Sequence, residues 1–473
     1  MNNQKAPGFV KMKHGTGISG HLGPSQVLVT GFLCVILIGT ILLMLPISST
    51  SGEYTSFIDA LFTATSAVCV TGLTVVNTLA HWSTFGKIVI ILCIQIGGLG
   101  FMTLVSMLFI IMGRRITLKN RLIMQEAFNF NTTSGIVRFT RYIVIGTLLV
   151  ELTGAILMSF IFIPDYGLGK GIWYSVFHAI SAFCNAGFDM IGDNSLTPYR
   201  GNILLNLTVM GLVIMGGLGF NVWIDTYKVL KLKKEKGKNL NWSQALYSMS
   251  VHTRLVWLIT LGLLTLGFVF FFFAEYTNPG TLGPLSLKDK VLGAMFHSMT
   301  TRTAGFFTIS LPDLTDASKL MTVLLMFIGG SPAGTAGGIK TVTIGVLILC
   351  ALSTIKGKDE TVVFKKRIPR QIISRALTVV IIGMMAIFIM LIILTFTENA
   401  SFMDLLFEVV SAFGTVGITL GITPDLSSLG KGVIIIMMFI GRLGPITMAV
   451  ALMIKQSKYK GILQYPEEKV LVG

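Results

Sequence analysis

Long apolar runs in this chain are separated by two kinds of polar interval, and the two kinds alternate. The apolar runs cover residues 26–47, 87–112, 142–163, 203–227, 255–274, 320–350, 376–396 and 432–454. An α-helix needs about 20 apolar residues to cross a bilayer, so the pattern predicts eight transmembrane helices. Inside each successive pair lies a shorter amphipathic stretch, below crossing length, that ends at a glycine among small or hydroxylated neighbours. These glycines are Gly72, Gly187, Gly305 and Gly417, at intervals of 115, 118 and 112 residues. Such near-constant intervals predict one unit used four times: outer helix, half-helix, glycine turn, inner helix.

The half-helices share a sequence pattern. Phe62-Thr63-Ala64-Thr65-Ser66-Ala67, Phe177-His178-Ala179-Ile180-Ser181-Ala182, Phe296-His297-Ser298-Met299-Thr300-Thr301 and Phe407-Glu408-Val409-Val410-Ser411-Ala412 precede the four turns. The phenylalanine-to-glycine spacing is 10, 10, 9 and 10, so the third unit is one residue short and the fourfold symmetry is imperfect. The turns read Val70-Thr71-Gly72, Asn185-Ala186-Gly187, Thr303-Ala304-Gly305 and Thr415-Val416-Gly417. Turning successive carbonyls to one side requires positive φ, which glycine adopts without steric cost. Four such turns around an axis form carbonyl rings of the kind that replace the hydration shell of a potassium ion. The negative C-terminal ends of the half-helices favour a cation at the same place. Arg302 is the one cation beside a turn. It is expected to point behind it and hold backbone or a carboxylate. His178 and His297 occupy matching positions and are expected to pack, as are Cys69 and Cys184.

Composition agrees with a membrane protein. The chain is 53% hydrophobic and 12% charged, with mean hydropathy +0.78, whereas soluble domains carry about 25% charged residues. Its net charge of +16 is concentrated between the units. Lys and Arg cluster in the N-terminal arm, at 113–143, 228–254 and 356–375, and in the C-terminal tail. The positive-inside rule places those segments and both termini in the cytoplasm, and the four glycine turns toward the outer face. Nucleic-acid binding, the other common meaning of basic runs, is not needed, because membrane topology accounts for the charge. Five scattered cysteines give neither a disulfide framework nor a zinc spacing. The first apolar run reads as a retained helix, not a signal peptide.

The inner runs carry Gly97-Gly98-Leu99-Gly100, Gly216-Gly217-Leu218-Gly219, Gly329-Gly330-Ser331-Pro332-Ala333-Gly334 and Gly441-Arg442-Leu443-Gly444. Small residues of this kind let helices approach closely. In the third, Gly329, Gly330, Ser331, Pro332, Ala333, Gly334, Thr335, Ala336, Gly337 and Gly338 forbid a stable helix. Irregular backbone at membrane depth must line water or be buried in protein, so this stretch is expected to be a movable barrier below the turns. Its tail resembles a phosphate-binding loop, but Ile339 stands where glycine is required and no soluble strand precedes it. Lys340 and Arg442 are intramembrane cations, functional by default, and are expected to act at this gate.

Together these marks resemble the Trk/Ktr/HKT superfamily of potassium-translocating proteins over residues 22–455. The most specific are Thr71-Gly72-Leu73-Thr74, Cys184-Asn185-Ala186-Gly187-Phe188-Asp189, Thr301-Arg302-Thr303-Ala304-Gly305-Phe306 and the 329–341 run. The short N-terminal arm is most similar to the bacterial Ktr membrane subunits. The resemblance implies a homodimer in the bacterial plasma membrane with one pore per chain. It also implies activation by Na+ and docking on a cytoplasmic KtrA-like ring whose Rossmann-like domains bind ATP or ADP. The four filter glycines, loop 329–338 and Arg442 carry over by residue.

The resulting expectation is an all-α membrane protein of four pseudo-repeated units around one pore. Its segments are an arm 1–22, units 23–112, 113–230, 231–355 and 356–455, and a tail 456–473. K+ is the permeant ion, bound only at the turns. The chain contains no enzyme chemistry, no catalytic residue and no cofactor of its own, and its partners are K+, lipid and the regulatory ring. The competing function is a Na+-coupled K+ symporter, since secondary transporters also use broken helices. All four units sharing one orientation favours a pore.

Overall fold

The structure is a computed structural model that describes residues 24–100, 103, 136–192, 194–236 and 241–452. The N-terminal arm, most of the basic segment 113–143 and the C-terminal tail lie outside the described residues.

Among the described residues, four helices are long and apolar enough to cross a membrane: Ser25–Met44, Val137–Tyr166, Val251–Ala274 and Arg370–Thr397. Their outward faces are rows of exposed apolar side chains, among them Leu37, Ile38 and Ile41, then Leu148, Leu152 and Ile156, and later Met385, Phe388 and Ile392. Continuous apolar surface of this extent has no place in water, and the lipid-solvated surface inferred from composition is this set of faces.

A shorter helix follows each long one: Phe57–Cys69, Leu168–Cys184, Leu287–Thr300 and Phe402–Gly414. Three begin with a serine whose hydroxyl accepts the backbone N–H of an aspartate three residues on. The pairs are Ser56 with Asp59, Ser286 with Asp289 and Ser401 with Asp404. This cap satisfies an otherwise orphaned donor, and the carboxylate favours the positive helix end. The second half-helix starts at Gly167 without a side-chain cap. Phe62, Phe177, Phe296 and Phe407 are all fully buried, so the repeated phenylalanine is a core anchor.

The inner runs differ from the expectation of continuous spans. Interruption was expected only in the third, yet each ends its first helix near the same place. Thr84–Leu99 stops at Gly100, Ile203–Leu218 at Gly219 and Ser428–Leu443 at Gly444, with φ of +79°, +89° and +88°. After Gly219 the chain resumes as Phe220–Lys236, bent by 100°. After Gly444, Pro445 opens the helix Pro445–Leu452, its fixed φ suiting a first helical position. Positive φ ends a right-handed helix at one residue. Four long helices, or five with the bent pair counted as one span, therefore meet the crossing criterion among the described residues.

In the third inner run the break is a loop between Asp316–Phe327 and Thr341–Ile355. It folds on itself through a parallel bridge of Ile328 with Ile339. The connection between Thr341–Ile355 and Arg370–Thr397 carries a small hairpin, Val362–Val363 paired antiparallel with Lys366–Arg367.

Candidate functional site

Each half-helix runs into its glycine turn by the same local geometry. Val70, Asn185, Thr303 and Thr415 stand two residues before the glycines, and all four are left-handed, with φ of +58°, +61°, +68° and +51°. Gly72, Gly187, Gly305 and Gly417 are left-handed as well, at +95°, +70°, +81° and +90°. Positive φ at the glycines follows the expectation. Positive φ at the non-glycine position was not anticipated, and for β-branched Val70, Thr303 and Thr415 it is a steric outlier.

Hydrogen bonds hold these strained residues. In the first, second and fourth turns the next backbone N–H reaches back to the half-helix: Thr71 to Ser66 O (2.8 Å), Ala186 to Ser181 O (2.7 Å) and Val416 to Ser411 O (2.8 Å). In the third, the corresponding bond is Ala304 to Thr300 O at 3.0 Å, one residue shorter as the spacing required. The hydroxyls of the same residues complete the turns. Ser66 and Ser411 accept the N–H of Gly72 (3.0 Å) and Gly417 (3.2 Å). Ser181 and Thr300 donate to the carbonyls of Phe188 (2.7 Å) and Phe306 (2.5 Å). A hydroxyl at the same place in every half-helix was visible in the sequence, and its role was missed.

The four turns meet. A Cβ placed on Gly72 would lie 2.5 Å from the carbonyl oxygen of Ala186. One on Gly187 would lie 3.0 Å from that of Ala304, and one on Gly305 3.0 Å from that of Val416. One on Gly417 would overlap the carbonyl oxygen of Thr71. Each glycine thus faces the peptide oxygen just before the next glycine, in cyclic order, returning to the first. Gly187 and Gly305 approach so closely that a Cβ on either would come within 2.6 Å of the other's Cα. Above the ring opens a cavity of about 740 Å³ lined by all four glycines and by Thr74, Asp189, Phe307 and Thr419. All twelve turn residues named from the sequence sit in this one assembly.

The inner helices reach the ring through their glycines. Cβ atoms on Gly97, Gly216 and Gly441 would strike the carbonyls of Val68, Phe183 and Phe413, just before the turns. The loop 328–340 packs on the turns as well, and its residues bond to what surrounds them. Ser331 and Thr335 donate backbone N–H to the carbonyls of Gly217 (2.9 Å) and Gly216 (3.1 Å). The N–H of Gly338 bonds Gly441 O at 3.2 Å, and that of Phe220 bonds Ala333 O at 2.9 Å. Ala333 itself is left-handed at φ +57°.

The two guanidiniums converge on this loop. Arg302 points away from the ring, as expected, and donates to the carbonyls of Ile328 (2.6 Å) and Gly329. Arg442 donates to the carbonyl of Thr335 in the loop and to those of Gly97 and Gly98 at the first helix break. Lys340 caps the helix after the loop and donates to Ala336 O at 2.6 Å. Gly329, Gly330, Ser331, Pro332, Gly334, Ala336 and Gly337 lie in the same loop.

The histidines pack. His178 makes a 2.7 Å bond between Nδ1 and Tyr174 O, and its Nε2 accepts the N–H of Met190 at 3.2 Å. His297 bonds Thr322 (3.0 Å) and lies edge-on to Phe271.

Residues 10–462 match the model of the family described as TrkH, cation transport protein. The potassium/sodium uptake protein NtpJ of Enterococcus hirae is 40% identical, over 96% of this chain and 98% of its own. The Ktr system potassium uptake protein B of Bacillus subtilis is 42% identical, over 95% of this chain and 97% of its own. The crystal structure of the potassium transporter TrkH from Vibrio parahaemolyticus superposes with a TM-score of 0.68. It covers 93% of this chain and 86% of that one at 18% identity, a likeness of fold.

Proposed function

This chain belongs to the TrkH family of cation transport proteins, and on that premise we propose that it is the K+-conducting, channel-like subunit of a Ktr-type uptake system. The observation that carries the reading is the cyclic contact of the four glycine turns. It sets the carbonyl oxygens of Thr71, Ala186, Ala304 and Val416 each against the next glycine in one closed cycle. Carbonyl dipoles in a ring offer a dehydrated potassium ion a substitute for water. The four half-helices end at that ring with their negative poles.

In this reading Val70 to Gly72, Asn185 to Gly187, Thr303 to Gly305 and Thr415 to Gly417 form the selectivity filter of four pseudo-repeated units. The loop 329–338, held by Arg442 and followed by Lys340, is the gate beneath it. The basic segments and both termini face the cytoplasm of a bacterium, two chains form a homodimer, and Na+ acts as an activator. Opening is controlled by a cytoplasmic ring that binds ATP or ADP, since this chain's phosphate-loop likeness fails at Ile339. Relatives named for K+ uptake, and for potassium/sodium uptake, support the choice of ion.

The test is growth and Rb+ uptake in a bacterium deprived of its own K+ systems. Expression with a Ktr-type regulatory partner restores growth at low K+, and Gly187→Ala abolishes it while the protein still reaches the membrane. Restoration by the alanine variant would defeat the filter assignment. The second reading, a Na+-coupled symporter, is favoured only by the potassium/sodium name of one relative.

A further inference from the structure

We propose that Asn185 is a specificity-positioning residue whose buried amide fastens the second and third turns to the loop below. Loop position and K+/Na+ discrimination are then one coupled property. The inference rests on the filter and gate reading above.

Of the four left-handed positions before the glycines, three carry Val or Thr and one carries an amide. Asn185 uses both ends of it. Its Nδ2 donates to the carbonyl of Arg302 (3.3 Å) and to the hydroxyl of Thr303 (3.2 Å) in the next turn. Its Oδ1 accepts the hydroxyl of Thr335, from the loop, at 3.0 Å. That hydroxyl also lies 3.3 Å from Phe183 O in the second half-helix. Asn185 and Thr335 are both wholly buried. The bridge depends on a glycine: a Cβ on Gly216 would come within 2.7 Å of both Asn185 Oδ1 and Thr335 Oγ1.

The same loop is fastened to the fourth turn and to the residue just before the third. Thr415 accepts the N–H of Gly337 at 3.1 Å, and Arg302 holds the carbonyls of Ile328 and Gly329. The second and fourth turns, and the residue leading into the third, are therefore bonded to the loop. Among the described residues, no hydrogen bond joins the loop to Val70, Thr71 or Gly72.

Consider the loop moving aside. Each of these bonds then breaks, and the wholly buried groups of Asn185 and Thr335 lose the partners that hold them in place. Thr303, a β-branched residue held left-handed, keeps that conformation only while its surroundings over-determine it. Asn185 supplies part of that restraint and is itself held by Thr335. Displacing the loop therefore frees the third turn, and a freed carbonyl ring adapts to a smaller ion.

The experiment uses the full-length protein in proteoliposomes, with Rb+ flux and the K+/Na+ permeability ratio from zero-current potentials as readouts. Thr335→Val removes the hydroxyl and keeps the shape. Asn185→Thr places at that position the residue already found at the equivalent third and fourth sites. Thr335→Val is expected to raise flux and to lower the permeability ratio by about three- to tenfold, the factor one buried hydrogen bond commands. Asn185→Thr lowers the ratio similarly, and the double variant falls no further than the larger single effect, since both break one bridge. Faster flux in Thr335→Val with an unchanged ratio overturns the proposal, as do additive losses in the double variant. A wild-type protein with no K+ preference would instead defeat the filter reading itself. Should Asn185→Thr not fold, Thr335→Val alone decides, because it leaves every backbone bond of the turn in place.

Discussion

At the scale of single residues, the site is built from strain and its restraint. Left-handed Val70, Thr303 and Thr415 each cost on the order of 1–3 kcal/mol. The offset comes from half-helix carbonyls and from the hydroxyls of Ser66, Ser181, Thr300 and Ser411. Glycine is required where turns touch. A Cβ on Gly305 would lie 2.5 Å from Gly187 Cα and 3.0 Å from Val416 O, so Gly305→Ser must push or rotate a neighbouring carbonyl. The expected outcome is Na+ entry through the variant, read as a shift of the zero-current potential in a Na+ gradient. Unchanged selectivity would remove Gly305 from the filter. Outside the spanning helices, buried Glu275 accepts from Thr281 (2.6 Å), Asn278 (2.6 Å) and Thr315 (2.7 Å). Burial raises its carboxyl, but hydrogen bonds from Ser318, Thr281, Thr315 and Asn278 outweigh that and hold it below the usual glutamate value. A depressed carboxyl stabilises the fold above its unfolded value, and the gain is lost as pH falls through the folded one. Thermal unfolding in detergent should therefore show an acid-side fall in Tm that Glu275→Gln flattens. An unaltered acid limb in that variant would mean the carboxylate contributes nothing.

At the scale of elements, the proposed gate is built from the inner runs. Arg442 spans from its own helix to Thr335 in the loop and to the first break at Gly97 and Gly98. Deleting Ala333–Gly337 should raise K+ flux by removing the barrier, measured as Rb+ uptake by purified protein. A folded deletion that conducts no faster would contradict the gate. These elements also mark where the sequence was legible. The long helices Ser25–Met44 and Val251–Ala274 lie within a few residues of the apolar runs 26–47 and 255–274, because continuous hydrophobicity is read directly. Loop 328–340 was visible because five glycines and Pro332 crowd it. The breaks at Gly100, Gly219 and Gly444 were hidden. One left-handed residue interrupts a helix without changing the hydropathy around it, and the motif read equally well as helix packing. The turn glycines showed themselves by spacing. Their left-handed partners did not, since nothing in Val70 or Thr415 as residue types signals positive φ. The Asn185–Thr335 bridge joins residues 150 positions apart, a separation no local pattern encodes.

At the scale of the whole molecule, the chain closes on itself. The fourth turn meets the first through Gly417 and Thr71. Lys431, in the first turn of the inner helix Ser428–Leu443, pairs with Asp59 at the start of the first half-helix at 2.8 Å, both side chains largely covered, at 14% and 23% exposure. Reversing either charge alone should lower thermal stability by about 1 kcal/mol or more, and reversing both should restore most of it. No recovery in the double reversal would show that the pair does not fasten the ring. One measurement bears most directly on the whole account: the zero-current potential of the purified protein in proteoliposomes with opposed K+ and Na+ gradients. A continuous K+-selective path through the four turns predicts a potential that follows the K+ gradient alone. A potential set by both ions at a fixed ratio would contradict it.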